Sequence, residues 1–134
     1  MTEHLFVYGS LRPGFGGEMC TVLARHAEHI GEAAFQGRLY LVDWYPGAVP
    51  SGDEADTVRG DVFRLREPRA LLPLLDRYEG CTPGTAGEYV RRTARVCLSG
   101  GGDIDAWIYL YDRPIDGLER IVSGDFLGAR RGRI

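Results

Sequence analysis

Short apolar runs separated by glycine-rich breaks set the pattern of this chain. Residues 4–8 form a brief β-prone run that stops at Gly9, where a loop carrying Gly14, Gly16 and Gly17 begins. From Met19 onward the apolar positions Met19, Val22, Leu23, Ala27 and Ile30 recur at three- and four-residue intervals, the spacing of one buried helix face. A helix over residues 18–29 is predicted, with Gly31 as its stop. Residues 34–43 read as a second strand with Gly37 at a bulge, Trp44-Tyr45-Pro46-Gly47 as a turn, and residues 51–56 as a polar loop.

Residues 58–65 alternate as a third strand, with Val58, Val62 and Phe63 as core positions and Gly60 as its weak point. A helix follows, with Pro68 in its first turn and Leu71, Leu72, Leu75 and Tyr78 on one side. Pro73 has no N–H to donate, so a break is expected there, and Gly80 marks the end. Residues 88–98 and 104–112 flank Ser99-Gly100-Gly101-Gly102-Asp103, a connection whose glycines admit positive φ, and predict a β-hairpin. A short helix and a frayed tail are expected after Asp116. Strands without regular alternation with helices favour an α+β fold over a doubly wound sheet, and five glycine-containing strands can curl toward a small barrel. The length of 134 residues predicts one domain over 1–134.

Composition narrows the chemistry. All 16 basic residues are Arg, since the chain contains no Lys, which excludes Schiff-base catalysis and a P-loop. A net charge of −3 gives no electrostatic footprint for nucleic acid; the arginines at 91, 92 and 95 and at 130, 131 and 133 are local exceptions. Apolar runs fall far short of the roughly 20 residues of a membrane helix. The first residues, Met1-Thr2-Glu3-His4, lack a basic segment leading into an apolar one, and Cys20, Cys81 and Cys97 lack paired spacing. A cytoplasmic protein with reduced thiols is expected.

Few residues suggest a reaction by themselves. The loop Tyr8-Gly9-Ser10-Leu11-Arg12 leaves a strand, and its consecutive amides can converge on an anion, but Pro13 and the later topology are wrong for a dinucleotide fingerprint. Ser10 is not in a G-x-S-x-G elbow and has no fixed relation to His4, His26 or His29. His26 and His29, three apart, do not make a metal site. Glu79, among apolar neighbours at a helix end, is the acid best suited to a raised pKa and hence to general acid–base work. An ordinary exposed glutamate at a helix terminus remains the competing reading.

Taken in order, Tyr8-Gly9-Ser10-Leu11-Arg12, Gly37-Arg38-Leu39-Tyr40 with Tyr45-Pro46-Gly47, Leu75-Asp76-Arg77-Tyr78-Glu79-Gly80, Tyr89-Val90-Arg91, Ala106-Trp107-Ile108-Tyr109 and Ser123-Gly124-Asp125-Phe126 resemble the γ-glutamylcyclotransferase-like family, with its AIG2-like branch. The resemblance spans residues 5–126. It implies a small mixed five- to six-stranded β-barrel with flanking helices, whose cavity takes a small γ-glutamyl substrate and yields 5-oxoproline plus a free amine. It implies further that the loop matching Tyr8, Gly9, Ser10 and Leu11 holds the substrate and that the carboxylate matching Glu79 moves the proton. The substrate's own α-amine is the nucleophile in that reaction, so neither cofactor nor metal is expected. Arg12, Arg38 and Arg91 are candidate carboxylate partners, and Tyr40, Tyr89 and Tyr111 candidate cavity walls. A non-catalytic module of the same fold, binding a small metabolite or a protein, is the alternative.

Overall fold

In the computed structural model, described over residues 2–13, 17–79 and 87–131, the elements run β1 (His4–Val7), α1 (Glu18–His26), β2 (Ala27–Leu41), β3 (Pro46–Pro50), β4 (Thr57–Leu65), α2 (Pro68–Tyr78), β5 (Tyr89–Leu98), β6 (Asp103–Tyr111), β7 (Glu119–Arg120) and α3 (Phe126–Arg131). Neighbouring strands follow the path β2-β4-β1-β6-β5, and β5 returns to β2 through Ala33↔Leu98 and Ala34↔Cys97. Five strands therefore close into a barrel. Its one parallel pairing, β1 with β6, makes it mixed, and β3 and β7 extend the far end of β2. The expected α+β barrel with flanking helices is the observed architecture.

Side-chain alternation in the strands sorts the core into two clusters. Phe6 of β1 and Tyr8 just past its end join Phe35, Val58, Val62, Val96 and Ile108, with Phe126 and Leu127 of α3 packed among them. Leu5 and Val7 point the other way, into a cluster with Leu23 of α1 and Leu71, Leu72 and Leu75 of α2. Gly60 is required rather than tolerated in β4: a Cβ there would sit 2.6 Å from the Phe6 ring and 2.3 Å from the Val7 carbonyl oxygen.

Several expectations change. The first helix stops at His26, and residues 27–33 continue straight into β2, where Ala27 pairs with Leu65 and His29 with Phe63. Helical spacing at Ala27 and Ile30 is overridden by the long ladder with β4, and Ile30 is left 39% exposed instead of buried. The bulge lies between His29 and Gly31; Gly37 stays in register opposite Pro50. Pro46 and Gly47, read as the end of a turn, instead open β3, which runs on through residues 48–50, to which the sequence reading assigned no element. Pro73 does not break α2, because it lies on the exposed side, where the carbonyl its missing N–H would have served can turn to water. Gly14, Gly16, Gly80, Cys81 and Arg133 lie outside the described residues.

Candidate active site

A cavity of about 300 Å³ opens where the loop after β1, the end of α2, the β2–β3 connection and the start of β5 meet. Tyr8, Gly9, Ser10, Leu11, Glu79 and Tyr89 line it together, so six of the sequence-derived candidates share one wall system. β1 ends inside this cavity because Tyr8 continues its inward alternation, whereas the following residues turn sharply, with the Arg12 amide donating to the Gly9 carbonyl at 3.0 Å. That bond commits the Arg12 amide to the turn. The amides of Gly9, Ser10 and Leu11 donate to no acceptor among the described residues.

Glu79 caps α2, its own N–H donating to the Leu75 carbonyl at 2.9 Å. Its carboxyl lines the cavity and makes no hydrogen bond or ion pair among the described residues. Burial, which disfavours the charged form, pushes its pKa up to about 7. Three phenols share this environment. Burial raises Tyr8, Tyr89 and Tyr109 well above the usual phenol range, and the Glu79 carboxylate adds to each rise. They therefore stay protonated and act as donors: Tyr8 to the Tyr109 carbonyl, Tyr89 to the Pro46 carbonyl, and Tyr109 to Asp76 Oδ1 at 2.7 Å. Tyr8 Oη also accepts the Ala48 amide at 3.1 Å.

Arg12, Tyr40, Arg91 and Tyr111 do not line the cavity. The Arg12 guanidinium is buried, with Nε on Asp61 Oδ2 at 2.8 Å and Nη1 on Asp125 Oδ1 at 2.9 Å. Arg91 grips both Asp76 oxygens, at 2.7 and 3.2 Å, and stacks over Trp107. Arg38 pairs with Asp56 at 2.7 Å. Each arginine considered as a substrate ligand is thus neutralised by a protein carboxylate. Tyr40 is buried on β2, and the Tyr111 ring packs 5.8 Å from that of Tyr89.

Sequence reading missed Trp44, Tyr45, Tyr78, Glu88 and Tyr109 as cavity residues. Tyr78, assigned to the packed side of its helix, is instead 42% exposed, and its hydroxyl meets Ser10 Oγ at 2.8 Å. Ser10 therefore faces a phenol and no histidine. Tyr45 donates to Glu88 Oε1 at 2.6 Å, a bond that pushes its phenol up to about 12. The proline-bounded turn at 44–47 was the available signal for the first two. Among the described residues, no cluster of His, Cys, Asp and Glu could hold a metal ion, and no helix is long and apolar enough to cross a membrane.

A family model described as "Gamma-glutamyl cyclotransferase, AIG2-like" matches residues 5–128. The "Gamma-glutamylcyclotransferase family protein YtfP" of Escherichia coli K12 is 38% identical over 124 residues, covering 92% of this chain and 95% of that protein. The solution structure of E. coli ytfP superposes with a TM-score of 0.63 at 35% identity, covering 95% of this chain and 98% of that one. A crystal structure of an AIG2-like protein from Mus musculus gives 0.64 at 22% identity over 81% and 76% of the two chains, a likeness of fold.

Proposed function

The chain belongs to the γ-glutamyl cyclotransferase, AIG2-like family, and from that membership we propose that it converts a small γ-glutamyl amine or amide into 5-oxoproline and the free amine, with Glu79 as general acid–base. The observation that carries this reading is the Glu79 carboxyl, pushed up to about 7 and without a hydrogen bond or ion pair among the described residues, in the same cavity as the Gly9, Ser10 and Leu11 amides, which likewise have no acceptor among the described residues.

The ionised Glu79 takes a proton from the substrate's α-ammonium, and the freed nitrogen attacks the γ-carbonyl carbon. A C–N bond forms, closing a five-membered ring, and the carbonyl electron pair moves onto oxygen. The ring nitrogen still carries one surplus proton. Collapse of the tetrahedral species breaks the bond to the leaving nitrogen, which receives the proton from Glu79. The ring nitrogen then gives its surplus proton to the same carboxylate, which passes it to the departing amine, so that a neutral lactam and an ammonium leave. Neither water nor an external nucleophile is consumed. Holding the glutamyl chain curled is worth effective molarities of about 10⁵ to 10⁸ M, and the loop amides serve as donors to the α-carboxylate and the developing oxyanion. The free thiols of Cys20 and Cys97 suit a cytoplasmic setting.

The test is product analysis with purified protein and a panel of γ-glutamyl amides. Equal amounts of 5-oxoproline and amine are expected; glutamate would mean hydrolysis, and binding without release would mean a non-catalytic module.

A further inference from the structure

We propose that the amine released here carries a second positive charge and that Glu88 selects it; this rests on the cyclotransferase reading of the same cavity. A γ-glutamyl conjugate has two ends. The glutamyl end brings an α-ammonium and an α-carboxylate, for which Glu79 and the Gly9–Leu11 amides suffice. The other end must contact what remains of the wall, chiefly Trp44, Tyr45, Tyr78 and Glu88.

That part of the wall has one sign of charge. No Arg or His is among the cavity's described lining residues, and the chain has no Lys. The segments 14–16 and 80–86, adjoining the loop and Glu79, contain no basic residue in sequence. Arg12 and Arg91, the nearest candidates in the motifs, are held by Asp61, Asp125 and Asp76. Arg113, two residues past the end of β6, donates to the Gly87 carbonyl and not to the Glu88 carboxylate. Glu88 has no ion pair among the described residues.

Glu88 is nonetheless fixed in place. The Tyr45 hydroxyl holds Oε1 at 2.6 Å, and the second carboxylate oxygen has no hydrogen bond among the described residues. Beside it the 61% exposed Trp44 meets Tyr45 edge to face at 5.2 Å. An anchored carboxylate next to aromatic rings suits an alkylammonium, which gains both an ion pair and contact with a π face. A leaving group ending in a carboxylate, such as an amino acid or peptide, would bring like charges together. Diamine, polyamine and amino-sugar conjugates are therefore the substrate class that fits.

The experiment uses three conjugates of similar length: γ-glutamyl-1,3-diaminopropane (cationic tail), γ-glutamylpropylamine (neutral) and γ-glutamyl-β-alanine (anionic). Calorimetric Kd and the rate of 5-oxoproline release are measured for the intact chain and for Glu88→Gln, Glu88→Arg and Tyr45→Phe. The cationic conjugate is expected to bind roughly tenfold more tightly than the neutral one, the size of one charge-assisted contact at a half-exposed site. Glu88→Gln should bring that ratio toward one, Glu88→Arg should reverse it in favour of the anionic conjugate, and Tyr45→Phe, which only frees the carboxylate, should reduce it partially. Should Glu88→Arg not fold, the other two variants decide the outcome. A Kd ranking led by the neutral or anionic conjugate, a ratio unmoved by Glu88→Gln, or no binding of any conjugate overturns the proposal. Binding in the expected order without 5-oxoproline would instead defeat the cyclotransferase reading and leave the tail preference standing.

Discussion

The Tyr109 hydroxyl donates to Asp76 Oδ1 at 2.7 Å, one helical turn before Glu79. Arg91 grips the same carboxylate, so β5 and β6 hold the final turn of α2 at a single buried anion. Replacing Asp76 by Asn keeps the volume but leaves the guanidinium without its countercharge. Stability should fall by about 3 kcal/mol, read as a lower urea midpoint. An unchanged midpoint would mean that the network adds nothing to folding.

Stability should also depend on pH through Glu79. Its pKa rises from 4.5 to about 7 on folding, so between those values the folded state holds a proton that the unfolded chain releases. The native state is then favoured at the acidic end and loses on the order of 3 kcal/mol as pH rises through this window, with no further loss above it. Glu79→Gln removes this component alone. Thermal melts of the two proteins should diverge from pH 4.5 to 7, with the glutamine variant the more stable above neutrality.

Legibility in the sequence differed by element for physical reasons. The hairpin of β5 and β6 was readable because its register is set locally by a glycine connection, and Gly101 and Gly102 do adopt positive φ. Residues 27–33 were not, because their strand state comes from pairing with β4, from Ala27 with Leu65 to Ala33 with Gly60, far along the chain, against a helical spacing of apolar residues. The same division holds in the cavity. Tyr8, Gly9, Ser10 and Glu79 stand out within single contiguous motifs, whereas the role of Tyr45 depends on Glu88, 43 residues away, which it meets only through the fold. Arg12 and Arg91 were misleading in one respect: sequence supplies the cations but not the carboxylates that neutralise them.

Turnover should report the same carboxyl group. A base that must be ionised to accept the ammonium proton gives kcat/KM a rising limb with an apparent pKa near 7. Glu79→Gln should lower 5-oxoproline release by roughly 10²- to 10⁴-fold while the folded spectrum persists. Retained turnover in this variant would remove Glu79 from the mechanism.

Arg12 connects the loop after β1 to the barrel, because its Nε and Nη1 engage two different carboxylates, on β4 and just before α3. A lysine ammonium is a single point and cannot reproduce that fork. Arg12→Lys should therefore cost about 1–3 kcal/mol in a denaturant titration, and Arg12→Ala more, since Asp61 would keep only His29 at 2.9 Å. Equal stability of the lysine variant would show that charge alone matters there.

Gly9 tests how closely the loop must fit. A Cβ at this position would lie 2.9 Å from Cγ and 3.0 Å from Cδ of Pro46, a rigid ring whose carbonyl receives the Tyr89 hydroxyl. Alanine must push either the loop or Pro46 aside, and both are cavity walls. Since displacements of about 1 Å in a positioned reactant can cost on the order of 10²-fold, Gly9→Ala should reduce kcat at least tenfold. The melting temperature should move much less, because the strained contact is at the rim of the barrel and Gly9 has no positive φ to lose. A variant that lost stability and activity in proportion would point to general unfolding instead of a displaced substrate loop.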